Sequence, residues 1–252
     1  MGNTLYSLGL AVAACQEGDT QRGIQLKPST KPICDAESFA QKFLAYHEGC
    51  YQLHQQKWHE AMAFFKQAKA EIKASTDWQK EVDRLCGIQR QAISEFQEHL
   101  EFAQFWYELL GSQPAKSYLA EYQAEQIRDK QAHEDISFNQ ASQELQKIKQ
   151  FDPSNPVVID LIDKVEVSKE MQEILDLIER DRFSDAVSRA KYSKHERIRF
   201  IVAQMCIDLL IKGAETSRMP SELIYQLGKW AHGLCPNEPA FQEVYRQLEL
   251  RY

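Results

Sequence analysis

The chain has 252 residues, a formal net charge of −7 and a pI near 5.6, with 43% hydrophobic and 27% charged residues. That is a globular composition, long enough to bury a sizeable core, and its acidic balance excludes a general nucleic-acid coat. Gly (10) and Pro (8) are too scarce for an all-β fold with many tight turns, and no apolar run approaches the roughly 18 residues of a spanning helix.

Apolar residues recur at helical spacing nearly everywhere and almost no segment alternates as a strand would, so an all-α fold of about eleven helices is expected. Helices over 4–17 and 21–26 predict an N-terminal hairpin within residues 1–26. Lys27-Pro28-Ser29-Thr30-Lys31-Pro32 cannot be helical, because each proline lacks a donor and restricts its predecessor. Residues 27–36 therefore read as a linker, and 37–252 as one helical domain. Helices follow from Asp35 or Ser38 to Gln56 and from Trp58 to Ala74. Ser75-Thr76-Asp77 caps a long pattern that ends at Leu110, with Gly111 and Pro114 as its stop. Further helices are expected near 114–135, 138–150, 156–179, 182–192, 195–212, 221–234 and 238–250.

None of the six cysteines forms a Cys-x-x-Cys pair, so all read as reduced thiols. Val12-Ala13-Ala14-Cys15 has the small residues of a lipoprotein cleavage site, but the stretch before it carries no Lys or Arg. Tyr6 stands where a myristoylation motif wants Ser or Thr. A cytoplasmic protein with no membrane partner is the expectation.

Four segments share a short turn followed by a small residue early in the next helix. The small residues are Gly23, Ala61, Ala141 and Ala186, three of them preceded by Trp58, Phe138 and Phe183. Two antiparallel helices approach closely only where the crossing residue is small. Gly49, Ala61, Phe65 and Ala68 stand at the spacing of the glycine, alanine, phenylalanine and second alanine of the tetratricopeptide repeat family, which the chain resembles. Leu145 with Asp152-Pro153, and Leu227 and Ala231 with Pro236-Asn237-Glu238-Pro239, resemble the closing halves of further units. Ala45, Glu48, Gln52 and Lys73 stand where the family prefers Trp, Leu, Tyr and Pro, so the repeats are degenerate. The resemblance implies stacked antiparallel helical hairpins, an irregular form of the family's right-handed superhelix. It also implies a peptide-holding groove, lined by Phe43, Tyr46, His47, Cys50, Leu53 and His54. That set lacks the Lys, Arg and Asn with which some members clamp acidic C-termini.

His47, Cys50 and His54 share a helix face, the arrangement of a partial zinc site or a Cys–His nucleophile pair. No second ligand pair stands at metal spacing, and a mid-helix Cys lacks an oxyanion hole. Phosphate-loop, dinucleotide, zinc-protease and nucleophile-elbow motifs are absent. A non-enzyme without metal or cofactor is therefore expected. From Arg180 to Arg199 seven cations, including Arg189, Lys194, Arg197 and Arg199, face three acids, a local +4 in a chain of −7. The leading expectation is a protein-binding adaptor or scaffold. Its rivals are a regulatory module that binds an acidic partner or nucleic acid through Arg180–Arg199, and a helical enzyme without a local motif.

Overall fold

The computed structural model describes residues 2–29, 31–216 and 219–251, with the side chains of 2–3 and 214–216 left aside. Among these residues it holds thirteen α-helices and no strand. They are α1 (Gly2–Gln16), α2 (Thr20–Leu26), α3 (Asp35–His54), α4 (Trp58–Ala74) and α5 (Thr76–Gln89). Next come α6 (Phe96–Leu110), α7 (Gln113–Ala132), α8 (Phe138–Phe151) and α9 (Pro156–Glu179). The last four are α10 (Phe183–Lys191), α11 (Glu196–Thr216), α12 (Ser221–Leu234) and α13 (Pro239–Glu249). The all-α expectation holds. No helix of the described residues is long and apolar enough to cross a membrane.

The chain divides into two compact units, Met1–Ile136 with Gln143–Leu161, and Ser137–Ser142 with Ile162–Tyr252. In the first unit α1 and α2 fold onto α3, and α3 to α7 enclose an aromatic core that includes Phe65, Phe102, Phe105, Trp106 and Tyr118. The indole N–H groups find acceptors at the edges of this core. Trp58 Nε1 donates to Glu98 at 2.7 Å and Trp106 Nε1 to Asp83 at 2.7 Å. The second unit is mostly aliphatic. There α10 to α13 and the rest of α9 close around Ile174, Ile198, Val202, Leu227 and Phe241.

The single long helix expected over 77–110 is two helices. Past Gln89 the i→i−4 ladder gives way to tighter bonds, Gln91 N to Ile88 O and Ala92 N to Gln89 O, and Ile93 turns into the core. The break lets α6 return along α5 so that Trp106 meets Asp83. On one straight helix those residues would stand about 35 Å apart. Two caps stand where the sequence signals them, as Ser75 Oγ accepts from Trp78 N and Gly111 ends α6 at φ 64°, and Ser112 Oγ adds a further one by accepting from Ala115 N.

The four turns singled out by the small residues share one backbone design. A residue with positive φ follows each helix: Gly18 (90°), Gln56 (59°), Glu134 (62°) and Asp181 (58°). The next N–H donates to the carbonyl five residues back, Asp19 to Ala14, Lys57 to Gln52, Asp135 to Lys130 and Arg182 to Leu177, at 2.8–2.9 Å. In three turns the carbonyl of that same residue then accepts from the small residue, as Gly23 donates to Asp19, Ala61 to Lys57 and Ala186 to Arg182. The turn after α7 is two residues longer, and Ala141 donates to Ser137. Gly23, Ala61, Ala141 and Ala186 are all buried. A Cβ on Gly23 would lie 2.3 Å from Cys15 Sγ, and one on Gly49 would lie 2.6 Å from the fully buried ring of Phe65.

Asp152 and Asn155, each 1% exposed, pin the loop after α8 to the start of α7. Gln113 Nε2 and Ser117 Oγ donate to Asp152 at 3.1 and 2.6 Å, and Asn155 Nδ2 donates to the Ser117 carbonyl at 3.0 Å. Asn155 Oδ1 caps α9 by accepting from Val157 and Val158. Burial alone would raise the Asp152 carboxyl. The donors Ser117, Gln113 and Asn155 outweigh it and hold the group below the usual aspartate range.

Two expectations follow for stability. Gly49→Ala should lower the melting temperature, since overpacking against Phe65 costs roughly 1–3 kcal/mol while helix propensity returns about 1. Gln56→Gly should raise it by relieving a left-handed non-glycine residue, a gain of up to about 1 kcal/mol. A depressed native carboxyl stabilises above its unfolded value of ~3.9 and ceases to do so as pH falls through the native value. Chemical denaturation between pH 6 and 2 should therefore show a steeper acid loss for the parent than for Asp152→Asn.

Candidate functional site

The α3 face expected to be open is covered. Across it lies α5, whose Trp78 ring stacks on Tyr46 at 4.0 Å with a 6° interplanar angle and approaches Phe43 at 5.7 Å. Tyr46 is only 6% exposed, which corrects the expectation of an accessible aromatic anchor there. Leu53 is core, while Phe43, His47 and Cys50 are half-buried. His54 alone of the six is exposed. Burial and the neighbouring Cys50 raise the Tyr46 hydroxyl, and burial pushes the Cys50 thiol up to about 12 and the His47 imidazole down. Such a thiol is protonated at neutral pH and is a poor nucleophile or metal ligand. Among the described residues no group of three or more His, Cys, Asp or Glu is placed to hold a metal ion.

The basic segment is engaged within its own unit. Asp163, Glu166, Glu170 and Glu173 fall at i, i+3, i+7 and i+10, one face of α9. They meet His195, Lys194, Ser193 and Arg189 in strict antiparallel order. Lys194 and Arg189 pair with Glu166 and Glu173, Ser193 Oγ donates to Glu170 at 3.0 Å, and His195 Nδ1 lies 3.5 Å from Asp163. Arg199 Nη1 donates to the Ser193 carbonyl at 2.6 Å, and Arg182 pairs with Asp185 at 2.6 Å. Of the four cations expected to meet a partner, only Arg197 is exposed and outside these contacts. Arg189 and Lys194 are exposed, so their pairs add little to stability, whereas Ser193 and the His195 ring are buried beside them. The ladder's main consequence is to cancel the local positive field.

The first unit does carry an open trough, which the sequence reading did not single out. Two adjoining hollows of about 390 and 360 Å³ share Gln104 and Gln123. Leu100, Tyr107, Leu119, Ile148 and Phe151 form its floor, and Gln97, Glu101, Gln104, Gln123, Gln126 and Lys147 its rim. Leu100, Tyr107 and Phe151 pack on the core from one side and are half-buried; Tyr107 meets Phe151 edge-on at 5.2 Å. The signal was present as spacing. Positions 97, 100, 101, 104 and 107 of α6, and 119, 123 and 126 of α7, each share a face. In the second unit a cavity of about 260 Å³ is lined by Glu196, Arg199, Phe200, Cys235 and Glu238 among others, and burial raises the Cys235 thiol.

No protein-family model matches the chain, and neither a curated protein nor a solved structure matches it.

With Trp78 packed on it, Tyr46→Ala should act on stability before binding. A loss of about 3–5 kcal/mol is expected, as for a buried aromatic. Unchanged thermal and denaturant midpoints would return Tyr46 to the surface.

Proposed function

We propose that this protein is a non-catalytic, tetratricopeptide-like helical scaffold whose first unit binds another protein in the α6–α7–α8 trough. The observation that carries this is a pair of adjoining open hollows with an apolar floor, rimmed by four Gln side chains together with Glu101 and Lys147. Apolar hollows with a polar rim are one kind of surface on which proteins meet partners. The thiols of Cys15, Cys50, Cys86, Cys206 and Cys235 are all raised by burial, the wrong direction for nucleophilic catalysis. The repeated turn and its buried small residue favour kinship of design with helical-hairpin repeats. The ion-pair ladder on α9 weighs against nucleic acid at Arg180–Arg199, because a phosphate backbone needs uncommitted cations.

A photo-crosslinking residue placed at Gln104 or Gln123 tests this in native extract. Each position should yield the same discrete protein adduct, and the exposed Lys66 should not yield it. Absence of any adduct specific to the trough, with the fold intact, would reject the site.

A further inference from the structure

Helix α1 is uncovered on one side, and the uncovered side is apolar. Its residues Gly2–Gln16 include no charged side chain. Leu8, Ala11 and Cys15 turn inward and cluster with Leu44 of α3. Leu5, Tyr6 and Leu10 are instead 48%, 68% and 42% exposed. Gly9 stands among these three, and a Cβ built on it would meet nothing within 4 Å. Glycine is less stable than alanine inside a helix, yet no described residue of the same chain occupies the space it leaves. We propose that this face pairs with the same face of a second copy of the chain, the two α1 helices antiparallel and crossing at Gly9.

A second copy is selected by the way the face fits itself. On a helical wheel Leu5 and Val12 flank Gly9 on one side, and Tyr6, Leu10 and Ala13 flank it on the other. A two-fold axis at Gly9 that sets the helices antiparallel lays each flank against its own copy, reversed end for end. Leu5 then falls beside Val12 of the second copy, and Tyr6 beside Leu10 and Ala13 of the second copy. The bulkiest exposed side chain, Tyr6, lies N-terminal to Gly9, and the smaller Val12 and Ala13 lie C-terminal to it. Reversal therefore sets large against small on both flanks, while Gly9 lets the helix axes come close.

Charge agrees with the antiparallel order. A two-fold contact brings like charges together near its axis, and α1 has none to bring. The first charge after it, the exposed Glu17, stands at the negative end of its own helix, where a carboxylate is unfavourable. In the antiparallel pair it lies beside the positive N-terminal end of the second copy's α1, where a carboxylate is favoured. A lipid surface offers no such opposite end, and helices that lie on anionic lipid carry Lys or Arg, which α1 lacks. Three part-exposed side chains supply well under the roughly 800 Å² a side of stable interfaces. The pair should therefore be weak, half-formed at about 10–1000 µM.

Sedimentation velocity on the full-length chain, across about 5–1000 µM, tests this. The average mass should rise with concentration from 29.2 kDa towards twice that value. Gly9→Leu fills the crossing but meets open space in its own chain. It should weaken association at least tenfold while the melting temperature at low concentration holds or rises. Glu17→Lys should weaken association too, and more at low salt than at high. Orientation is read by disulfide formation under mild oxidation, with the exposed Cys34 replaced by Ser. Gly9→Cys should crosslink to its own copy, because only residues near the axis bring their Cα atoms within about 7 Å, and Leu5→Cys should not. A monomeric mass at every concentration would overturn the pairing, as would Gly9→Leu associating as the parent does. Self-crosslinking of Leu5→Cys as readily as Gly9→Cys would overturn the antiparallel order. A monomeric mass together with flotation on phosphatidylcholine vesicles, abolished by Leu10→Glu, would assign the face to a membrane instead.

Discussion

One hydrogen bond recurs wherever this chain reverses after a marked helix: the N–H just past a left-handed residue reaches the carbonyl five residues back, as from Lys57 to Gln52. It satisfies a terminal carbonyl that the helix itself leaves orphaned. Because the Lys57 carbonyl in turn accepts from Ala61, the end of α3 and the start of α4 share one residue as their joint. Two helices joined so tightly must cross close to the turn, and there only Gly or Ala fits between backbones. The small residues are thus a steric consequence of the turn. Phe65 against Gly49 carries the same closeness farther along the hairpin. The aromatic core of the first unit is assembled on spacings set in this way.

Much of this was legible in the sequence because it depends on short spacings. Gly23, Ala61, Ala141 and Ala186 could be picked out by their place after a turn signal, and Ser75 and Gly111 by capping chemistry. The left-handed residues could not, since Gln56, Glu134 and Asp181 stand where Gly would have announced them. The break between α5 and α6 was hidden for another reason. Residues 90–95 contain neither Pro nor Gly, and the apolar pattern runs through them. The chain turns there because Trp106 gains an acceptor in Asp83 and Ile93 gains the core, contacts between distant positions that no local window holds.

The candidate site was less legible, again because partners came from afar. The face of α3 that holds Tyr46 and Cys50 looks like a groove if only its own hairpin is considered. Trp78, more than thirty residues on, fills it. The net charge of Arg180–Arg199 likewise looks available until the acids of α9 are set on a helical wheel beside it. Asp163, Glu166, Glu170 and Glu173 form that stripe within the sequence itself, and the ladder could have been anticipated from their spacing. The trough was overlooked because Leu100 counts as core by periodicity, and it is core on one side only.

That one-sidedness explains why the trough carries apolar residues at all. Leu100, Tyr107 and Phe151 support the core beneath them, so polar replacements would weaken the first unit. The rim is under no such constraint, and there the chain places mostly Gln among residues that could as well be Lys or Glu. Covering a charged rim would strip hydration from ions, at a cost of several kcal/mol for each one left without a partner. Covering an amide costs far less, and less again when it already donates to Glu101 or Glu108.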